Sequence, residues 1–266
     1  MTFVELTYWD IALAALLLTV NAGLSIWLRL GMERQLAIAA IRMVVQLTLV
    51  GLVLKALFAT VSPWLTGAVA LVMIGFAGYE ATARQARRLS GPWGYGLGTM
   101  AILFACTLVT AFALTTQIQP DPWYSPQFAI PLLGMILGNC MTGVSLGLNQ
   151  LFGRAGKERL AIEAMLALGY TRQEALKPLV RESVRSGLIP IVNSMAATGL
   201  VALPGMMTGQ ILAGVDPVQA VKYQMLIMFL IAGGTAIGVL VAVVAGSGRL
   251  SDERHRLRLD RLTPIK

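Results

Sequence analysis

The sequence predicts an all-α integral membrane protein of about seven transmembrane helices, with a long polar loop between the fifth and the sixth. Three observations carry this. Of 266 residues, 56% are hydrophobic and only 13% charged, about half the charged share of a soluble domain. Seven apolar segments each approach the roughly 20 residues that a spanning helix needs. The basic residues fall in alternate connections between those segments, as they do when one side of a membrane collects them.

The expected spans cover 8–28, 36–58, 65–83, 96–116, 127–149, 186–209 and 222–246. Trp9, Trp27, Trp64, Trp93 and Trp123 lie near segment ends, where an amphipathic ring favours the lipid–water interface. The N-terminus carries Glu5 and no basic stretch, so no cleavable leader is expected and the first segment should stay as an anchor. Arg29 and Arg34 follow the first span, and Arg84, Arg87 and Arg88 the third. The long loop holds Arg154, Lys157, Arg159, Arg172, Lys177, Arg181 and Arg185, and the tail Arg249, Arg254, Arg256, Arg258, Arg261 and Lys266. Of the 21 basic residues only Arg42, Lys55 and Lys222 lie elsewhere. The N-terminus is therefore expected outside, with the 151–185 loop and the 247–266 tail in the cytoplasm of a bacterial inner membrane. The chain reads as one multi-pass transmembrane domain over 1–266.

The loop has its own pattern. Leu160, Ala164 and Leu168 recur at helical spacing and make a short amphipathic helix. Arg159 and Glu163 stand four apart, close enough to pair. Gly169 can take the left-handed conformation that ends a helix. Thr171-x-x-Glu174 is a capping box that starts the next. Two short helices joined by a tight turn are expected, specified well enough to be a docking element.

Small residues recur at a spacing that lets helices approach closely: Gly134 and Gly138, Gly143 and Gly147, Gly234 and Gly238. Packing within the chain is the first use expected of them, a homodimer interface the second. Cys106 and Cys140 sit in apolar runs and read as small core residues rather than a disulfide.

Polar side chains within spans are candidates for a transport path, because placing them in lipid is costly. Arg42 and Gln46 share a helical face; Asn139, Asn149, Asn193, Gln210 and Gln224 join them, with Glu80 near the end of the third span. The alternative for each is a hydrogen bond between helices. Pro204-Gly205 should break the sixth segment, and broken helices often mark transport sites. Met206 and Met207 offer soft thioethers there, and Thr208 and Gln210 oxygen. Soft donors alone would favour Cu(I); oxygen and nitrogen suit iron or manganese. The alternative is a packing turn with methionine filler.

Catalytic signatures are missing. The one histidine, His255, lies in the tail, which excludes a buried histidine metal cluster. Gly153-Arg-Ala-Gly156-Lys157 fails as a phosphate loop, which needs glycine at Leu151 and a hydroxyl at Glu158. Gly94-x-Gly96-x-Gly98 has Thr99 where a dinucleotide fingerprint has its third glycine. The chain is expected to be no enzyme, to bind no cofactor, and to meet anionic lipid rather than nucleic acid through its tail.

Glu163-Ala164-Met165-Leu-Ala-Leu-Gly169 resembles the Glu-Ala-Ala-x-x-x-Gly loop of ABC-transporter permeases, with Met165 for the second alanine and without the distal Ile-x-Leu-Pro at its spacing. Arg42-x-x-x-Gln46-Leu47, Gly134-Met-Ile-Leu-Gly-Asn139, Leu203-Pro-Gly-Met-Met-Thr-Gly209, Ala213-Gly-Val-Asp-Pro217 and Lys222-Tyr-Gln224 look like the FetB family of iron-export permeases, across nearly the whole chain. The resemblance implies a cytoplasmic coupling helix seated in an ATPase subunit, with ATP and Mg bound on that subunit, and two permease copies per complex. Arg159, Glu163, Ala164, Gly169, Thr171 and Glu174 would couple to the ATPase. Arg42, Gln46, Asn139, Met206, Met207 and Gln210 would line or gate the path, with Met206 and Met207 nearest a metal ion. A stand-alone secondary transporter or channel is the alternative, and a membrane scaffold a third reading. Few membrane acids and no inverted repeat speak against the secondary transporter.

Overall fold

The computed structural model describes residues 7–252 and 254–263; Glu5 and Lys266 lie outside the described residues. Among those described, helices dominate, and the only β-type pairings are isolated bridges. Among the described residues, six helices are long and apolar enough to cross a membrane: Trp9–Trp27, Glu33–Ala59, Pro63–Ala83, Pro92–Ile118, Pro126–Lys157 and Pro217–Arg249. Two compact units are present, divided between Val61 and Ser62.

The first unit is a hairpin of α1 (Tyr8–Trp27) and α2 (Glu33–Ala59). Its turn is tied by Ser25, whose hydroxyl donates to Glu33 Oε2 at 3.1 Å and accepts the Met32 N–H at 3.1 Å. Gly31 lies there at φ +68°, a conformation open to glycine at little cost.

The second unit holds α3 (Pro63–Ala83), α4 (Pro92–Phe112), α5 (Pro126–Lys157), α6 (Arg159–Ala167), α7 (Arg172–Ala197), α8 (Gly205–Leu212) and α9 (Pro217–Arg249). Proline opens α3, α4, α5 and α9, where its missing N–H would have had no helical partner anyway. A π-helical segment, Ala113–Ile118, ends α4. The centre of the unit is α5, packed on α3, α4, α7 and α9. Glycine decides how close these helices come. A Cβ on Gly143 would meet Gly187 O and the Thr235 and Val239 methyls at 2.9 Å, so α5 and α7 meet nearly backbone to backbone and side chains of α9 fill the space against them. Gly234 and Gly238 of α9 likewise face Ile136 and Cys140 of α5. Two of the three expected glycine pairs thus serve packing within the chain, while Gly138 opens onto nothing within 4 Å. Cys106 of α4 and Cys140 of α5 are buried and unlinked.

Three sequence expectations need correction. The expected span 186–209 is divided: α7 ends at Ala197, a turn follows, and α8 begins at Gly205. Neither half is among the six apolar spans, because α7 runs back into a polar stretch as far as Arg172. The pair of short helices is one short helix, α6, and one long helix, α7; Pro178 and Pro190 lie inside α7 without ending it. Pro204 does not interrupt a helix either. It is the N-cap of α8, its carbonyl taking the Thr208 N–H at 3.0 Å and the Thr208 hydroxyl at 2.8 Å.

The basic segments of this unit gather at one end. Thr263 N–H donates to Arg88 O at 2.8 Å, and Ser90 N–H to Arg261 O at 2.8 Å. Ala86 N–H donates to Asn149 Oδ1 at 2.9 Å, so Asn149 fastens a loop rather than lining a path. Arg172 N–H donates to His255 Nδ1 at 3.1 Å. The 84–91 connection, the start of α7 and the tail are thereby one assembly.

Candidate functional site

At that end the chain presents α6. Its turn inward is set by Ile162, which is buried, and by Met165 and Leu166, which pack on the core. Its other side carries Leu160, 81% exposed, Leu168, 78% exposed, and the exposed Ala164. The two apolar sides divide the labour: one holds the helix to the bundle, the other is left open at a polar end.

Both joints of α6 are rigid for local reasons. Gly169 stands at φ +91°; its N–H reaches Leu166 O at 3.1 Å and the Tyr170 N–H reaches Met165 O at 3.2 Å. That pair of bonds is the Schellman cap, which glycine permits and a Cβ would strain. Thr171 then starts α7 with a complete capping box. Its N–H donates to Glu174 Oε2 at 2.8 Å, and its hydroxyl oxygen accepts the Glu174 N–H at 3.3 Å. These bonds from the Thr171 backbone and hydroxyl hold the Glu174 carboxyl below the usual glutamate range. Arg159 Nε meets Glu163 Oε1 at 2.8 Å along the open side. Arg154, at the end of α5, bridges Glu158 and Glu182, tying α5 to α7 beneath α6.

The expected path residues divide between the units. Arg42 and Gln46 lie one turn apart on α2 in the first unit. Asn139, Met206, Met207 and Gln210 belong to the second. Asn139 is exposed on α5 and donates to Met135 O at 2.9 Å. Met206 packs on the core from α8. Met207 is half-buried beside it; successive helical residues point about 100° apart, so the two thioethers diverge. Gln210 shares the Met206 side of α8, and its Oε1 is buried without a hydrogen-bond partner. Gln224 of α9, against which α8 packs, is 6% exposed, and its Oε1 also lacks a partner. Thr110 and Thr235 add two more buried unpartnered hydroxyls on α4 and α9. Buried polar atoms nearly always find partners, so these orphans on α4, α8 and α9 are unusual. Sequence reading named Gln224 only in passing and missed Thr110 and Thr235, since a threonine in an apolar helix carries no signal of its own.

Among the described residues, no three His, Cys, Asp or Glu side chains gather into a metal-binding group.

Fold and site together define a multi-pass helical membrane protein with a short, partly open helix at its basic end. The chain belongs to the uncharacterised protein family UPF0014, whose family model matches residues 8–250. It is 40% identical over 228 residues to the UPF0014 membrane protein slr1647 of Synechocystis sp., covering 86% of this chain and 87% of the relative. It is 32% identical over 259 residues to the probable iron export permease protein FetB of Escherichia coli, covering 97% of each. The protein ALUMINUM SENSITIVE 3 of Arabidopsis thaliana is 30% identical over 237 residues, 87% of this chain and 81% of the relative. No solved structure matches the chain.

Proposed function

We propose that this chain is the membrane-spanning permease subunit of an ABC transporter that exports a metal ion, iron foremost. ATP and Mg²⁺ would be bound and hydrolysed on a separate cytoplasmic ATPase subunit. The observation that carries this reading is the open apolar side of α6, Leu160, Ala164 and Leu168, between rigid joints. A helix held this way transmits a push rather than absorbing it. Because α7 leaves the Gly169–Thr171 joint and packs on α5 and α9, movement of α6 would reach the bundle core. The similarity to the probable iron export permease of Escherichia coli supports iron as cargo.

The gathering of basic segments at the α6 end supports a cytoplasmic position for that end, with the N-terminus outside and the chain in the inner membrane. Gly138 and Asn139 leave an open small-and-polar patch on α5, which would be costly against lipid; a second copy of the permease would cover it. Arg42 and Gln46 on the first unit, and Asn139, Met206, Met207 and Gln210 on the second, are the residues assigned to transport. The unpartnered amides of Gln210 and Gln224 would offer oxygen to a passing cation, and Met207 a weak soft contact.

Co-purification tests this reading. An ATP-binding subunit should travel with the wild-type chain and be lost from a Leu160→Glu, Leu168→Glu double variant. An unchanged yield of the ATPase with that variant would remove α6 from the interface.

A further inference from the structure

A cavity of about 570 Å³ opens where the tail folds against the ends of α7 and α9. Arg172, Arg249, Arg254, Arg256 and Arg261 line it, with Ser251. Asp252 is its one carboxylate among the described residues, and that carboxylate is already engaged. It accepts the Arg256 N–H at 2.9 Å and the Arg254 N–H at 3.0 Å, and it pairs with the Arg256 guanidinium at 2.9 Å. The cavity thus holds a large excess of positive charge.

Three details make it a shaped site and not a run of solvated arginines. Ser251 is 4% exposed and its hydroxyl has no partner, although it stands at the cavity wall. The hydroxyl oxygen itself is shut off from the open space, so Ser251 closes the wall and leaves the donors to the guanidiniums. Arg249 is held in place, its guanidinium carbon 3.2 Å from the centre of the Trp93 ring, while Arg261 is turned inward by a 3.0 Å bond to Arg249 O. The Arg254 side chain, by contrast, has no hydrogen bond among the described residues. Two guanidiniums are preset, and one is left to close on a ligand.

We infer that this cavity binds a phosphate group. Guanidiniums offer paired N–H donors that match phosphate oxygens. Trp93, near the start of α4, places the mouth at the membrane interface, within reach of the headgroup of an anionic phospholipid; a free phosphate would satisfy the same donors. The site joins tail to α7 through Arg172, so an occupied cavity would brace the base of the docking helix. The inference needs only the membrane location, not the ATPase partnership.

The test titrates the full chain in detergent with phosphatidylglycerol, phosphatidylcholine and inorganic phosphate, read by native mass spectrometry and thermal shift. Phosphatidylglycerol should bind in preference to phosphatidylcholine. The Arg172→Gln, Arg254→Gln double variant should weaken it roughly tenfold or more. Arg29→Gln, Arg34→Gln, distant in sequence and of equal charge change, should leave it within about twofold. Should the double variant fold poorly, Arg254→Gln alone, at an exposed side chain, should still lower affinity by a few-fold. Binding of inorganic phosphate with the same sensitivity to these variants would assign the site to a soluble ligand and keep the phosphate inference. Binding of neither, or lipid binding indifferent to Arg254 and Arg172, or equally lowered by the Arg29, Arg34 variant, overturns it.

Discussion

Gly143 and Gly187 press their backbones together: a Cβ on Gly143 would lie 2.9 Å from Gly187 O, and one on Gly187 would lie 2.8 Å from Gly143 O. Backbone carbonyls cannot swing aside as a side-chain tip can. Alanine at either position must therefore separate α5 from α7, at about 1–3 kcal/mol. Thermal unfolding in detergent should show Gly143→Ala and Gly187→Ala lowering the midpoint by several degrees. Gly138→Ala, with open space around it, should leave the midpoint unchanged.

The α6–α7 joint yields a second expectation. Glu163→Arg replaces the partner of Arg159 with a like charge, and Gly169→Pro forbids φ +91°. Each should leave membrane insertion intact while separating ATP hydrolysis from transport in reconstituted vesicles. Normal coupling in both variants would take the joint out of the mechanism.

The capping box should respond to acid. The Glu174 carboxyl is held below the glutamate range by the Thr171 N–H and hydroxyl, so its ionised form stabilises the first turn of α7. That contribution is complete above about pH 4.3, the unfolded value, and is lost as pH falls through the lowered folded value. Hydrogen exchange at residues 172–175 should accelerate across that window. Thr171→Ala should remove the hydroxyl bond, destabilise α7 by about 1 kcal/mol and move the onset of fast exchange to higher pH. An onset that stays put would mean that the hydroxyl does not hold the carboxylate.

Gln224 distinguishes path from packing. Its buried Oε1 has no partner, so Gln224→Leu should leave stability equal or slightly raised. If the amide meets a passing ion, the same variant should slow flux roughly tenfold. Equal stability with equal flux would make the orphan amide a mere defect of packing.

Much of this architecture was legible in the sequence for plain reasons. Spans announce themselves by length and apolarity, and the joint by Gly169, Thr171 and Glu174, whose bonds are local. What escaped depends on distant partners. Pro204 looked like a break within a span, but the chain had already turned at Thr198, where no strong signal stands. Asn149 looked like a path residue until Ala86 supplied it with an N–H from 63 positions away. The tail read as a charged run, yet it folds back on Arg88 through Thr263, 175 positions away. Thr110 and Thr235 became visible only when burial left them without partners.

The central claim is an ATP-driven metal pump that works through α6, and flux in inside-out vesicles tests it most directly. Vesicles holding this chain and its ATPase should accumulate iron only when ATP and both proteins are present. The Leu160→Glu, Leu168→Glu variant should abolish that uptake. Iron uptake that persists without ATP or without the ATPase would contradict the account and point to a stand-alone transporter.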